Sequence, residues 1–293
     1  MSKKIQRITG KTGVIGIFGF PVEHSFSPVM HNAAFQAGGL DYVYVPFEVP
    51  PERLAEAVSA IRALKLRGVN VTIPHKERVV QYLDSLSEEA RLIGAVNTIV
   101  RSGDELKGYN TDAAGFLRSL EEKKVAVQGA NVLLLGAGGA ARAVAVQLAL
   151  AGARRVGIVV RNSGWRKAEG IAEIVAGHSC AKSTVALFEN TQDLIAEKGN
   201  IIINCTPVGM HPNVMEMPPF KLDTIPADSV VCDLIYNPAE TLFLKTAKAR
   251  GLKTVSGSGM LLYQGTLAYE LWTRQQAPVD IMRTALEEAL QRC

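Results

Sequence analysis

Short apolar runs alternate with amphipathic stretches along almost the whole chain. The runs that read as strands are 13–20, 42–49, 67–73, 96–101, 131–135, 155–160, 182–188, 200–204 and 229–234. Between them apolar residues recur at helical spacing, as at Leu54, Ala57, Val58, Ile61 and Leu64 within 51–64. Alternation of this kind predicts an α/β protein with parallel sheets and right-handed crossovers. Segments 132–135 and 201–203 are apolar at every position, the pattern of strands buried on both faces. The last segment, 260–293, has helical spacing broken only at Pro278, and periodicity alone does not say where it docks. A polar stretch, 121–131, precedes the most apolar strand and is a natural place for one domain to hand over to the next.

Composition narrows the class. A chain of 293 residues predicts two domains. Apolar residues make up 47% and charged residues 20%, ordinary for a globular protein with a sizeable core. The formal charge is +4, with Lys and Arg dispersed; that is too mild for a nucleic-acid partner and suits a small anionic substrate or cofactor. Cys180, Cys205, Cys232 and Cys293 are far apart and form no CxxC pair, so neither a metal site nor a disulfide framework is expected, and reduced thiols are. Lys3, Lys4, Arg7 and Lys11 ahead of the apolar run 14–20 resemble the start of a signal peptide. Gly16, Gly19 and Pro21 interrupt that run and no small-residue cleavage site follows, so it reads as a first strand. No stretch reaches the ~18 uninterrupted apolar residues of a membrane span. The expectation is a cytoplasmic protein with no membrane partner.

The chemistry begins with Asn131-Val-Leu-Leu-Leu-Gly-Ala-Gly-Gly-Ala-Ala-Arg142, a buried strand running into a glycine-rich turn and a helix over 140–150. Gly136 permits the tight turn, Gly138 lets backbone approach a pyrophosphate, and Ala141 keeps the helix close to the sheet. The helix start then offers oriented N–H groups to an anion. A glycine pattern alone is weak, but strand, turn, helix and second strand in this order are the context that a dinucleotide site requires. The second strand ends in Val159-Val160-Arg161-Asn162-Ser163, followed by Arg166 and Lys167. A carboxylate for a ribose 2′-hydroxyl is missing and cations stand in its place, which favours NADP over NAD. The plain alternative is a solvated helix start.

Three further segments carry polar groups. In Gly19-Phe-Pro-Val-Glu-His-Ser-Phe-Ser-Pro28, Ser25 and Ser27 sit at a helix mouth suited to a carboxylate; capping by Ser27 ahead of Pro28 would explain Ser27 but not Ser25. In Gly68-Val-Asn-Val-Thr-Ile-Pro-His-Lys76, strand alternation points Asn70 and Thr72 the same way, and Lys76 follows Pro74. Alone, such a lysine is surface decoration. The third pairs Gly94-Ala-Val-Asn-Thr98 with Gly108-Tyr-Asn-Thr-Asp112, where Asp112 could merely cap the next helix.

Taken together and in order, these motifs resemble the shikimate dehydrogenase family, which includes the quinate dehydrogenases. The likeness continues through Asn204-Cys-Thr-Pro-Val-Gly-Met210, Asp233-Leu-Ile-Tyr-Asn-Pro238 and Gly259-Met-Leu-Leu-Tyr-Gln264, so it covers essentially the full length. It implies an α/β protein of two domains. These are a parallel-sheet substrate domain at 1–112, completed by C-terminal helices at 258–293, and a Rossmann-type NADP-binding domain at 113–257, with the active site in the cleft between them. The implied reaction is reversible NADPH-dependent reduction of 3-dehydroshikimate to shikimate, on the pathway to chorismate and aromatic amino acids, by a monomer or homodimer.

By the same resemblance, Lys76 and Asp112 are the catalytic pair. Ser25 and Ser27 bind the substrate carboxylate, and Asn70, Thr72, Asn97, Tyr236 and Gln264 line the ring along with Asp112. Gly136, Ala137, Gly138, Gly139, Ala140, Arg161, Asn162, Gly257 and Met260 hold the cofactor. A lysine ammonium at the carbonyl can donate the proton that the new alkoxide needs and stabilise its charge. Two positions depart from the family pattern. Ser163 and Gly164 replace a usual Arg-Thr, which puts the strength of NADP preference in question, with Arg161 one residue earlier as substitute. Ser256 stands where an acidic residue is common. The alternatives are a quinate or dual-substrate enzyme, against which Ser27 speaks because quinate users tend to carry Thr there, and more distantly a non-catalytic NADP-sensing protein, which would not need both Lys76 and Asp112.

Overall fold

The computed structural model describes residues 8–195 and 198–291. Lys3, Lys4, Arg7 and Cys293 therefore lie outside the described residues. The chain divides into two compact units, Met1–Thr111 with Gln264–Cys293 (unit 1) and Asp112–Tyr263 (unit 2).

Unit 1 runs β1 (Gly13–Gly19), α1 (Ser27–Ala37), β2 (Tyr42–Glu48), α2 (Leu54–Ala63), β3 (Gly68–Val71), β4 (Ser85–Leu86), α3 (Glu88–Ile93), β5 (Thr98–Ser102) and β6 (Glu105–Tyr109). Its sheet has the order β2-β1-β3-β5-β6-β4. The expected parallel arrangement holds for β2, β1 and β3. It does not hold for β5, which runs antiparallel to both β3 and β6. The physical reason is a hairpin: Ser102 pairs with Glu105 across a two-residue turn in which Gly103 has φ +62°, a conformation glycine adopts without strain. The core of this unit is a layer of aliphatic side chains including Leu54, Val58, Ile61, Val69, Val71 and Ile99.

Unit 2 begins inside α4 (Thr111–Glu122) and continues through β7 (Asn131–Leu135), α5 (Gly139–Leu150), β8 (Arg155–Val160), α6 (Trp165–His178), β9 (Lys182–Leu187), β10 (Asn200–Asn204), β11 (Val230–Asp233), α7 (Leu242–Ala249) and β12 (Lys253–Val255). It ends within α8 (Gly257–Thr273); the rest of α8 and all of α9 (Val279–Leu290) belong to unit 1. The break between α8 and α9 falls around Pro278, as the sequence pattern requires. The second sheet is parallel throughout, in the order β12-β11-β10-β7-β8-β9. Relabelled by first appearance within the unit, that order is the doubly wound dinucleotide-binding one. Its switch point lies between β7 and β10, where a crevice opens outside the strands' carboxyl ends. All five residues of β7 and of β10 are buried, as their apolar runs predict.

Candidate active site

In unit 1, polar side chains converge where β1, β3 and β6 end and β5 begins; the register places Asn70 beside Thr98, and Thr98 beside Tyr109. Asn70 is buried, donating through Nδ2 to Asn97 O and Thr98 Oγ1, both at 3.0 Å. Its Oδ1 accepts the Tyr44 hydroxyl at 2.7 Å. The same phenol bonds the Ser27 hydroxyl, and burial pushes its pKa well above 10. Asn97 Oδ1 accepts the Thr111 N–H at 2.7 Å and so caps the first turn of α4, while its Nδ2 donates to Thr111 Oγ1 at 2.9 Å. Thr98 Oγ1 lies 3.1 Å from Thr111 Oγ1. One continuous network therefore links Ser27, Tyr44, Asn70, Thr98, Asn97 and Thr111, five stretches that are far apart in sequence. Every member is neutral, so the network holds its geometry without the desolvation cost of a buried charge.

Local structure places the other expected residues of this unit. Ser27 opens α1 as its first helical residue, not as its cap; the Ser25 Oγ instead accepts the Ser27 N–H at 3.3 Å. This reverses the capping reading and accounts for Ser25, since a hydroxyl two residues back reaches that orphan donor. β3 stops at Val71, two residues short of the expected strand, because the chain turns there: His75 N–H donates to Thr72 O at 2.9 Å. Thr72 is thus beyond the strand, and strand alternation does not reach it. Half-buried Lys76 follows the turn, and its carbonyl accepts the Val96 N–H at 2.8 Å, which ties the lysine to the Gly94–Thr98 segment. Gln264, in α8, is buried. Asp112, half-buried in the first turn of α4, opens unit 2, and the N–H of the preceding Thr111 is taken by Asn97.

Behind the network lies His31, fully buried and stacked on Tyr44 with ring centroids 4.5 Å apart. Neither ring nitrogen has a hydrogen-bond partner among the described residues. Burial lowers its pKa to about 3.

In unit 2 the glycine turn has the geometry its residues require. Gly136 adopts φ +109°, and a Cβ there would lie 2.8 Å from the Thr206 methyl. Gly138 ends the turn in an extended conformation ahead of α5, has no side-chain cap, and would direct a Cβ into open space. Ala141 is fully buried in the core beneath. A cavity of about 270 Å³ opens at the ends of β7, β8 and β10, lined by Gly136, Ala137, Arg161, Ser163, Thr206 and Pro207 among others. Its lining contains one cation, Arg161, and no carboxylate. That donor set fits a ribose 2′-phosphate and offers a 2′-hydroxyl no acidic acceptor. Gly139, Ala140 and Asn162 are exposed near this opening. Gly257 is buried where a Cβ would meet Leu234 O, so only glycine fits the start of α8; Met260 packs against the unit's core. Ser256 Oγ lies 2.8 Å from Ser258 Oγ. Tyr236 is exposed in the loop after β11.

Sequence reasoning missed Tyr44, Thr98 and the Thr206–Val208 loop. Thr98 and Thr206 fall inside the motifs quoted above, which was the available signal; Tyr44 reads as an ordinary strand aromatic.

A doubly wound parallel sheet with a glycine turn at its switch point, and a second unit presenting a neutral polar network, define a two-domain dinucleotide-dependent oxidoreductase. The chain belongs to the shikimate dehydrogenase family. Residues 17–99 match the shikimate dehydrogenase substrate binding domain and residues 257–287 the shikimate 5′-dehydrogenase C-terminal domain. The shikimate dehydrogenase (NADP+) of Desulforamulus reducens is 51% identical over 284 residues, covering 96% of this chain and 97% of that one. The shikimate 5-dehydrogenase of Listeria monocytogenes, solved with shikimate and NAD, superposes with a TM-score of 0.92 at 39% identity, covering 96% and 99%. That of Thermus thermophilus, solved with NADP(H) and shikimate, gives 0.83 at 36% identity, covering 94% and 99%. Among the described residues no helix is long and apolar enough to cross a membrane.

Proposed function

We propose that this protein catalyses the reversible, NADP-dependent interconversion of shikimate and 3-dehydroshikimate in the cytoplasm, with unit 1 binding the ring and unit 2 the cofactor. The observation that carries this reading is the single network joining Ser27, Asn70, Asn97 and Thr111 at the same sheet end that bears Lys76. A polyhydroxylated ring needs many directional donors and acceptors, and neutral amides and hydroxyls locked in place provide them at low reorganisation cost. Ser25 and Ser27, at the start of α1, receive the carboxylate. Asn70, Thr72, Asn97, Asp112, Tyr236 and Gln264 hold the ring hydroxyls. Lys76 donates a proton to the oxygen of the carbonyl being reduced and takes it back in the other direction; Asp112 orients the ammonium. The nicotinamide supplies or accepts the hydride when bound. Gly136 to Ala140 hold the pyrophosphate, Arg161 and Asn162 the 2′-phosphate, and Gly257 and Met260 flank the nicotinamide half.

Ser27 and the shikimate-named relatives at close identity favour shikimate over quinate. Incubating the purified protein with NADP and either acid, and following NADPH by its absorbance, tests both claims. Turnover of shikimate at least tenfold above quinate is expected; equal or greater turnover of quinate would move the protein to the alternative activity.

A further inference from the structure

The cofactor cavity is shaped by a loop whose own support lies deeper, at Asp233. This carboxylate ends β11 and is buried. Its Oδ1 accepts from Asn204 Nδ2 at 3.1 Å and from the Ile235 N–H at 3.0 Å; its Oδ2 accepts the Thr241 hydroxyl at 2.7 Å. Asn204 passes the constraint on. Its Oδ1 accepts both the N–H and the hydroxyl of Thr206, at 3.0 and 2.7 Å, and its Nδ2 donates to Val208 O at 3.2 Å. Thr206 Oγ1 in turn accepts the Val208 N–H at 3.2 Å. Thr206, Pro207 and Val208 line the cavity together with Gly136 and Arg161, and a Cβ at Gly136 would meet the Thr206 methyl. Thr241 meanwhile caps α7 through the Leu244 N–H, so the carboxylate is anchored on both sides.

From this chain of contacts we infer that Asp233 is a positioning residue for the cofactor: it touches no ligand, and it sets the width of the dinucleotide cavity by holding Asn204 and, through it, the Thr206–Val208 loop. The inference rests on the NADP reading of that cavity. A single carboxylate serves better here than a neutral side chain, because all three groups facing it are donors and a carboxylate is acceptor-only. Charge-assisted bonds of this kind are short and directional, which suits a brace. Burial without a facing cation raises the acid's pKa to about 6, so holding the charged form there has a cost in stability that packing alone would not impose. The titratable groups that share its surroundings are the thiols of Cys205 and Cys232, both kept neutral by burial.

The test is NADP affinity measured by calorimetry, which needs no turnover. Asp233→Asn keeps the shape but brings an N–H toward groups that already donate. It is expected to raise the NADP Kd roughly 10- to 100-fold, the value of hydrogen bonds to a charged group, while kcat at saturating NADP changes far less. Should that variant fail to fold, Thr241→Val and Thr241→Ser decide the matter: valine removes the donor to Oδ2 and is expected to weaken NADP binding, and serine restores the donor and the affinity. An unchanged Kd in folded Asp233→Asn or Thr241→Val, or a serine variant as weak as valine, would overturn the inference alone. No NADP binding by the unmodified protein would overturn the proposed function and the inference together.

Discussion

On the proposed function, the two sheet ends recognise their ligands by opposite means. In unit 1 the end of the sheet is filled with side chains: Asn70, Asn97, Thr98 and Thr111 bond one another directly, and Tyr44 and Ser27 extend the set. In unit 2 the corresponding end is emptied of them. Gly136 and Gly138 leave backbone and space, and one cation stands at the rim. A small ring with stereospecific hydroxyls must be read atom by atom, and only placed side chains can do that. A dinucleotide is long and carries its charge on phosphates, so bare N–H groups at a helix start and a single guanidinium suffice. The contrast makes a general claim: unit 1 is broken by deleting side chains, unit 2 by adding them.

The largest effect is expected from deletion in unit 1. Lys76→Ala should lower kcat by about 10²–10⁴, the range for loss of a general acid, with shikimate affinity changed much less. Steady-state kinetics with a calorimetric shikimate titration checks both halves, and a variant with near-full kcat would remove Lys76 from the reaction. In unit 2 the comparable injury is an addition. Gly136→Ala forces a side chain into φ +109° and a Cβ to 2.8 Å from the Thr206 methyl. Strain of roughly 1–3 kcal/mol is relieved only by moving the turn, so the KM for NADP should rise about 5- to 100-fold while the KM for shikimate holds. A shikimate defect of equal size would erase the distinction between the two ends.

The units should also answer acid in opposite directions. His31 in unit 1 has a folded pKa of about 3 against 6.5 unfolded, so its contribution to stability is complete above 6.5 and is lost as pH falls below it. At pH 5 that loss amounts to about 2 kcal/mol. Asp233 in unit 2 has a folded pKa raised to about 6 from 3.8, so its contribution is greatest below 3.8 and declines as pH rises through 6. Hydrogen exchange between pH 7 and pH 5 should therefore show β1 and α1 losing protection relative to β7 and β10. His31→Phe keeps an aromatic ring against Tyr44 and should abolish the unit 1 component; the same acid response in that variant would clear His31 of the effect.

Legibility in the sequence followed the range of the forces involved. The strands at 131–135, 155–160 and 200–204 have the expected bounds because continuous apolar runs between polar ends are local signals. The glycine turn was legible for the same reason: each glycine answers a local backbone demand. The β5–β6 hairpin was not anticipated, although Gly103-Asp104 between two alternating runs is a recognised two-residue signal; 105–109 is short, and only Leu106 and Gly108 in it are buried. Tyr44, Thr98 and Asp233 acquire their importance from partners 8 to 29 positions away or set by sheet register, such as Asn70 for Tyr44 and Asn204 for Asp233. Composition and spacing carry no trace of such pairings. The plain capping alternative for α4 pointed to Asp112 for a related reason: the acceptor for the Thr111 N–H is Asn97, just ahead of β5 and 14 positions away.

The sharpest test of the account is cofactor choice, because unit 2 is claimed to read NADP with backbone and one guanidinium. A charge-assisted contact from Arg161 to the 2′-phosphate is worth about 1.5–3 kcal/mol, or roughly 10- to 150-fold. The measurement is kcat/KM for NADP and for NAD with shikimate saturating, in the unmodified protein and in Arg161→Ala. The account predicts a preference for NADP within that range, eroded in Arg161→Ala mainly through the KM for NADP. Equal kcat/KM for the two cofactors in the unmodified protein would contradict it, and a preference that survives Arg161→Ala would transfer the role to Arg166 or Lys167.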